Sequence, residues 1–554
     1  MRWQLLSDQI PKTIDELEEI IIKNRGITDL KMFLKPPHPS TISLSEVGID
    51  EAQYELAIAR INQAKKAQEN VLIFGDYDAD GICATAILWR VLHDHGLKVT
   101  PFIPLRDRHG YGVSIGAFED IEAESGLPDL VITVDNGIVA HEALTYLQEK
   151  GVAVILTDHH QPEKNAAGEA FYPPATAVVH STKLCGATVA WMLARGVSEE
   201  LAQGQLDLTA IATIADQVSL LAQNRSFAVH GLKALRTSSR LGLKALCEQS
   251  KIRQKSISET SIGFGLAPRI NAMGRLAHGM DALRLLCTES TAQSQELAQL
   301  LADTNQERQE LTADLVTLAD EQAQLQINQR LVIVHHESFH EGVVGLIAGR
   351  LAEQYSKPAI AMSVGAESTK ASARSVSGVN IVELLREVRD DLLEVGGHPL
   401  AAGFGVETAK IELIKERLFA LASLRITQEQ LETGLELDCQ LPADFLTEAA
   451  YTALKAFEPY GQANPRPVFQ LDGLKVLDAV TVGNGARHLK LTVHAPDASD
   501  PQLAVTPIVA LWWRQGDRLS EFKKGQTISL AAELDLNIWK GRRQVQLLVR
   551  DAEF

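Results

Sequence analysis

The sequence is short of several things. Its five cysteines, Cys83, Cys185, Cys247, Cys287 and Cys439, are scattered, and none stands in a C-x-x-C pair. That argues against a zinc knuckle or a disulfide framework and fits a reducing compartment. No uncharged run approaches the ~20 residues that a membrane-spanning helix needs, and the opening MRWQLLSDQIPK lacks the apolar core of a signal peptide. A soluble, cytoplasmic protein is expected. Positive charge is also scarce: 53 Lys and Arg against 71 Asp and Glu leave a net charge of −18. Phosphate binding depends on Lys and Arg, so net charge does not point to nucleic acid, although a local groove or bound cations can reverse the sign. No internal repeat or low-complexity tract appears. What remains is a globular composition, 45% hydrophobic and 22% charged over 554 residues. At about 100–200 residues each, that is roughly three or four domains.

What is present is an alternation. Residues 1 to about 69 read as helical, with apolar spacings of three and four in ELEEIIIK and EAQYELAIARINQAKKA. Short apolar strands follow: VLIF (71–74), KVTPFI (98–103), LVITV (130–134) and VAVILT (152–157). Helical stretches such as ATAILWRVLHDHG separate them, which predicts a parallel, doubly wound sheet. Residues 291 to about 326 contain no Gly or Pro, which predicts one long helix acting as a spacer. A second α/β region starts at LVIVHH (331–336). From about residue 430, segments such as HLKLTVHA, PIVALWW and TISLAAELDLNIW predict a small barrel; residues 494–507 read as a loop. The expected layout is a helical region, 1–69, packed on an α/β domain, 70–290. A connecting helix, 291–328, a second α/β domain, 329–425, and a barrel, 430–554, complete it.

The polar residues fall at strand ends. Asp76, Asp78 and Asp80 follow the first strand, Asp135 and Asn136 the third, and Asp158, His159 and His160 the fourth; Asp216 ends the apolar run IATIAD. Taken singly, an Asp after a strand is most simply a turn former or a helix N-cap. Together they differ, because ligands bind beyond the carboxyl ends of the strands in an open parallel sheet. Five or more carboxylates and two imidazoles converging there would be strongly destabilising without a cation. The donors are oxygen and imidazole with no thiolate, which favours Mn²⁺ or Mg²⁺. Their number suffices for two ions, which together would serve an in-line displacement at phosphorus.

DYDADG (76–81), VDNG (134–137), DHH (158–160) and ATIAD (212–216), in this order, resemble the DHH phosphoesterase superfamily. PRINAMGR (268–275), HEGVVGLIAGRL (340–351), SARS (372–375), GGHPLAAGF (396–404) and EPYGQANPRPVF (458–469) are similar to its RecJ branch, the single-strand-specific DNA exonucleases. The resemblance implies DHH and DHHA1-type α/β domains joined by the long helix. It also implies 5′→3′ digestion to 5′-mononucleotides, in DNA repair and recombination. Asp78, Asp80, Asp135, His159 and Asp216 match its metal ligands. Asp76 and His160 match further catalytic positions, which orient ligands or water. Arg106, Ser372 and Arg374 match the holders of the terminal 5′-phosphate. Tyr111, Arg269, Asn271, Arg275 and His398 are matched as substrate contacts; for Asn271 and His398, a turn residue and an interior histidine are the alternatives. Phe74 stands where many DHH phosphoesterases have His, which puts the ligand set of one ion in doubt.

The C-terminal region resembles an oligonucleotide-binding (OB) barrel. From Glu458 onward, 12 Lys and Arg face 11 Asp and Glu, so the acidic excess lies elsewhere. Trp512, Trp513 and Trp539 offer stacking faces for bases, although alternation turns one of the adjacent pair into the barrel. The resemblance implies single-stranded DNA, a single-strand-binding protein and a RecQ-like helicase as partners, for a monomeric enzyme. Two alternatives stand beside it. One is a phosphoesterase of short oligoribonucleotides or cyclic dinucleotides; the other is a non-catalytic replication scaffold.

Overall fold

The structure, a computed structural model, describes residues 2–554 apart from Tyr111, Ala166, Ala167, Thr433, Asp497 and Lys540, and of Trp539 only the backbone. The chain divides into two compact units, Pro37–Leu431 and Met1–Pro36 with Glu432–Phe554.

The larger unit begins with a sheet of β1 (Asn70–Phe74), β2 (Lys98–Phe102), β3 (Leu130–Val134), β4 (Ala153–Asp158) and β5 (Ala177–His180). All are parallel, in the order β2-β1-β3-β4-β5. Val71 and Ile73 enter one apolar core, and Leu72 and Phe74 enter another on the opposite face. A strand feeding two cores must be apolar throughout, which is why VLIF and LVITV read as unbroken runs. Strand order reverses at β1, with β2 on one side and β3 on the other. The crevice beyond the carboxyl ends at such a switch is where ligands bind.

Four helices frame that crevice: α1 (Ala79–Asp94), α2 (Gly186–Val197), α3 (Leu206–Ala215) and α4 (Ala267–Leu276). The long helix α5 (Thr291–Gln324) follows, its N-terminus capped by Ser290, whose hydroxyl accepts the Gln293 N–H. It is more than the expected spacer. Leu297, Ala298 and Leu301 lie in the first domain's core; Leu315, Ala319 and Ala323 lie in the core beneath α6 (Val344–Tyr355). The second sheet comprises β6 (Val332–His336), β7 (Ala359–Val364), β8 (Ser368–Arg374), β9 (Leu392–His398) and β10 (Ala401–Glu407), in the order β9-β10-β8-β7-β6. Only β6 and β7 pair in parallel.

In the smaller unit, β11 (Phe469–Val482), β12 (His488–His494), β13 (Ile508–Trp512), β14 (Thr527–Trp539) and β15 (Arg542–Glu553) form the expected barrel. Their order is β11-β12-β13-β15-β14, and β14 pairs back onto β11. Residues 494–507, expected as a loop, include a short helix, Pro501–Val505. The placement expected for 1–69 is corrected in part. Ala57, Ile61 and Ala64 do pack into the α/β core. Arg2–Leu5, however, pairs in parallel with Gly434–Leu437, and Arg25 binds Asp438 at 2.7 Å. Helical periodicity reveals that a face is buried, not against which partner.

Candidate metal centre and phosphate pocket

The turn after β1 brings three acids to three different tasks. Asp76 is buried and accepts the Tyr77 N–H at 2.7 Å. Asp78 caps α1: its Oδ1 accepts the N–H groups of Asp80 at 2.9 Å and Gly81 at 3.0 Å. Asp80 turns to the N-terminus of α2. There Gly186 N–H donates to Oδ2 and Ala187 N–H to Oδ1, both at 2.7 Å. Asp135, after β3, has a φ of +62°, a left-handed conformation that Asp adopts more readily than most residues but still at a cost. Its Oδ1 lies 3.2 Å from His159 Nε2. The same Nε2 is 3.9 Å from Asp80 Oδ2, and His159 Nδ1 is 3.8 Å from Asp216 Oδ2 at the end of α3. Asp158 fixes the other histidine. Its Oδ1 lies 2.8 Å from His160 Nδ1, and its Oδ2 accepts the Ile138 N–H at 2.9 Å.

Asp135, His159 and His160 offer ligand atoms within 4.8 Å of one another, and so do Asp80, His159 and Asp216. Two of the acids are not satisfied by the protein. Asp135 Oδ1 and Asp216 Oδ2 are buried without a hydrogen bond. Burial, then the charges of Asp80 and Asp78, hold the Asp135 carboxyl well above the usual range. Burial and Asp78 push Asp76 up to about 8 and Asp80 up to about 7; burial and Asp80 push Asp216 up to about 9. Burial, then His160, takes His159 down to about 4, which keeps its imidazole neutral and able to ligate. For His160, burial opposes the charge, but the bond to Asp158 prevails and its pKa rises to about 9. Strained, unsatisfied acids beside a neutral imidazole fit a site that divalent cations complete. Asp80, Asp135, His159 and Asp216 are the residues that would hold them. Asp78 is committed on one oxygen to its helix cap. Phe74 is wholly buried against Phe102 and Phe118, ring centroids 5.2 and 5.3 Å away.

A cationic group lies next to the acids. Asn271 on α4 accepts the Ala79 N–H at 2.7 Å, so it holds the acid-bearing turn. Arg275, four residues on, donates to Gly342 O at 2.9 Å, just before α6. Arg106 stands 5.7 Å over the Tyr77 ring. From the second domain, Arg374 Nη1 lies 3.1 Å from Ser372 Oγ, and a Cβ on Gly345 would meet both residues at 3.0 and 3.1 Å. Burial, then the charges of Arg106, Arg308 and Arg374, bring Arg275 down to about 10, so these four groups share one neighbourhood. His398 lies within reach of His160: after burial, the charge of His160 lowers its pKa. Arg269 instead donates to Gly265 O at 2.7 Å. Tyr111 lies outside the described residues.

Comparison with known proteins follows the same divisions. Residues 70–215 match the DHH family N-terminal domain, 328–423 the DHHA1 domain, and 437–551 the RecJ OB domain. The single-stranded-DNA-specific exonuclease RecJ of Escherichia coli is 31% identical over 532 residues, covering 89% of this chain and 89% of that protein. The chain belongs to the RecJ family. The RecJ of Bacillus subtilis is 34% identical over 508 residues, 90% of this chain, but the chain spans only 63% of that protein's length. A crystal structure of RecJ in complex with Mn²⁺ from Thermus thermophilus aligns with a TM-score of 0.82 at 32% identity, covering 100% of this chain and 79% of that one. A Mg²⁺ complex from the same organism gives 0.76 at 29% identity, covering 100% and 78%. Both ions belong to the class that the donor set here suits.

Within the RecJ OB domain, the adjacent tryptophans separate as alternation requires. Trp512 is 5% exposed, with the Arg518 guanidinium 4.4 Å from its ring centroid; Trp513 is 54% exposed and meets His488 edge-on at 4.8 Å. The Trp539 side chain lies outside the described residues. Trp512→Ala is expected to cost about 3–5 kcal/mol, the usual loss for a buried aromatic. Trp513→Ala should leave stability unchanged. Urea unfolding of the whole chain checks both, and equal losses would contradict the assignment.

One part of the site escapes sequence reasoning: the N-terminus of α2, whose Gly186 and Ala187 carry no chemical signal beyond being small. Asn136, expected with Asp135 after the third strand, is buried there with neither side-chain polar atom partnered.

Proposed function

We propose that this RecJ-family chain is a cation-dependent exonuclease of single-stranded DNA that works from the 5′ end and releases 5′-mononucleotides. The carrying observation is one cleft in which unsatisfied acids adjoin arginines that, among the described residues, form no ion pair. Two divalent ions, held by Asp80, Asp135, His159 and Asp216, would supply an activated water and charge neutralisation at phosphorus. The chain's own groups do the rest. Arg106, Ser372 and Arg374 take the terminal 5′-phosphate, for which guanidinium forks are suited. That grip sets the register and brings the first internucleotide phosphorus to the acids. His160, oriented by Asp158, positions ligands or water at the reacting phosphorus. Asp76 and Asn271 hold the turn that carries Asp80. The barrel, with Trp513 outward, binds single-stranded DNA by stacking. Strand resection of this kind serves DNA repair and recombination. A single-strand-binding protein and a RecQ-like helicase are the partners that would supply its substrate.

Digestion of 5′- and 3′-labelled single- and double-stranded DNA with Mn²⁺ tests the reading. Label should leave the 5′ end of single strands first, as mononucleotide; early release from the 3′ end, or equal attack on duplex, would refute it. Arg106→Ala and Arg374→Ala should each weaken use of 5′-phosphorylated ends about 10- to 100-fold, the ~1.5–3 kcal/mol of a charged hydrogen bond. They should leave 5′-hydroxyl ends little affected. Steady-state kinetics on the two ends measures the difference.

A further inference from the structure

One terminal phosphate does not use all the arginines of the cleft. Arg106, Arg275, Arg308 and Arg374 are half-buried, and among the described residues none has a carboxylate partner. Two other half-buried arginines have carboxylate partners, Arg25 with Asp438 at 2.7 Å and Arg240 with Asp207 at 3.2 Å, and Arg195 and Arg236 give their donors to backbone carbonyls; Arg308 Nε has neither. Leaving a desolvated charge unpaired is costly. A phosphate monoester carries about −1.5 to −2 at neutral pH, which Arg106 and Arg374 already balance.

The packing places the surplus. Leu276 of α4, Leu311 of α5 and Leu346 of α6 pack about one apolar core. Arg275 and Gly345 immediately precede two of these leucines. Arg308 lies three residues before the third, on the same face of α5. Arg308 Nε is buried without a hydrogen-bond partner. One turn earlier on that face, Asn305 is 3% exposed, and its Oδ1 has no partner either. An amide's oxygen and nitrogen exchange by a flip, so the side chain can present a donor there. The neighbours of each charge give a direction. Arg275 lies within reach of the charges of Asp78 and Arg308, and Arg308 within reach of that of Arg350. Arg350 is 48% exposed, so this line runs from the acids out to solvent.

We propose that Arg308 and Asn305 extend the terminal-phosphate pocket into a polyphosphate site, so that a single strand ending in a 5′-diphosphate or 5′-triphosphate is bound and cut. This rests on the reading of Arg106, Ser372 and Arg374 as the holders of the first phosphate. With the α-phosphate there, the β- and γ-phosphates extend toward Arg275 and Arg308, and the scissile bond is unchanged. Water adds to the phosphorus of the first internucleotide linkage and gives up a proton; the P–O3′ bond breaks, and the 3′-oxygen leaves with a proton. The products are a nucleoside 5′-triphosphate and a strand one residue shorter with a 5′-monophosphate, ready for ordinary digestion.

The test uses the full chain with Mn²⁺ and one oligonucleotide sequence ending in 5′-hydroxyl, 5′-monophosphate or 5′-triphosphate. Anion-exchange chromatography resolves the first product. The expected result is a nucleoside triphosphate from the triphosphate strand. In Arg308→Ala, kcat/KM on triphosphate ends relative to monophosphate ends should fall about tenfold or more, the loss of one charge-assisted contact. Arg308→Lys should recover part of it. No cleavage of triphosphate ends, or an equal loss on both ends, would overturn the proposal. If Arg106→Ala and Arg374→Ala instead fail to discriminate 5′-phosphate from 5′-hydroxyl, the underlying pocket reading falls. Should Arg308→Ala not fold, thermal unfolding of the metal-free wild type decides: inorganic tripolyphosphate should raise Tm well above what inorganic phosphate does, and equal shifts would overturn the site.

Discussion

Asp135→Ala should abolish Mn²⁺-dependent digestion of single-stranded DNA, by about 10³-fold or more, beyond the roughly 10–100-fold typical of losing a supporting group. The substitution removes a buried carboxylate whose Oδ1 finds no hydrogen bond in the protein. It also relieves repulsion among Asp80, Asp78, Asp76 and Asp216, all of which raise its pKa after burial does. Relief of that repulsion offsets the roughly 1 kcal/mol of placing Ala at φ +62°, so the metal-free variant should be about as stable as the wild type while binding Mn²⁺ far more weakly. Calorimetry and isothermal titration measure both; retained activity in folded protein would sink the site. The same electrostatics carry a pH dependence. Asp76, Asp80 and Asp216 are raised to about 8, 7 and 9, above the ordinary carboxyl value near 4. Ionising a group whose folded pKa is raised costs stability. The metal-free protein should thus be most stable, as far as these groups decide, below about pH 4 and lose stability up to about pH 9. Mn²⁺ must displace those protons, so its affinity and the Tm gain it brings should rise over the same range. A flat Tm difference between EDTA and Mn²⁺ from about pH 5 to 8 would contradict this.

Gly186→Ala is the second large effect, and it acts without removing a charged group. A Cβ there would lie 2.2 Å from Asp135 Oδ1 and 2.5 Å from Asp135 Cβ. Gly186 opens α2, where its N–H binds Asp80 Oδ2. The backbone is helical, so alanine is conformationally acceptable and only the contact fails. Relief must come from moving Asp135 or the N-terminus of α2, and either shift separates the ligands. Activity and Mn²⁺ affinity should drop about 100-fold, with overpacking costing about 1–3 kcal/mol. Gly116→Ala is the control: it sits in helix Ile115–Ser125 with nothing within 4 Å of its Cβ. It should keep full activity and gain about 0.5–1 kcal/mol. Equal activity in the two variants would remove Gly186 from the site.

Much of this was legible beforehand. VLIF, LVITV and VAVILT are apolar throughout because both faces of the sheet are covered, so the parallel sheet and its acid-bearing ends could be read directly. β5 is the exception: four residues, AVVH, are too few for a pattern to stand out from the loop before it. The barrel strands were legible through their length and alternation. The long helix showed as an element, but not its role, since composition does not tell which cores its two halves enter.

The sequence by itself determined the elements, the RecJ-type motifs and an oxygen- and imidazole-rich donor set, because these depend on residue type and spacing along the chain. Only the tertiary structure decided which acids are free for a cation. Asp78 spends an oxygen on the cap of α1 and Asp158 is consumed by His160, whereas Asp135 and Asp216 each keep a buried oxygen without a hydrogen bond. It decided, too, that Trp512 is core and Trp513 surface, and that Arg2–Leu5 pairs with Gly434–Leu437. Such choices depend on what each side chain meets across the fold. A hydrogen bond between residues about a hundred positions apart, such as Gly186 N–H to Asp80, leaves no local trace in either segment.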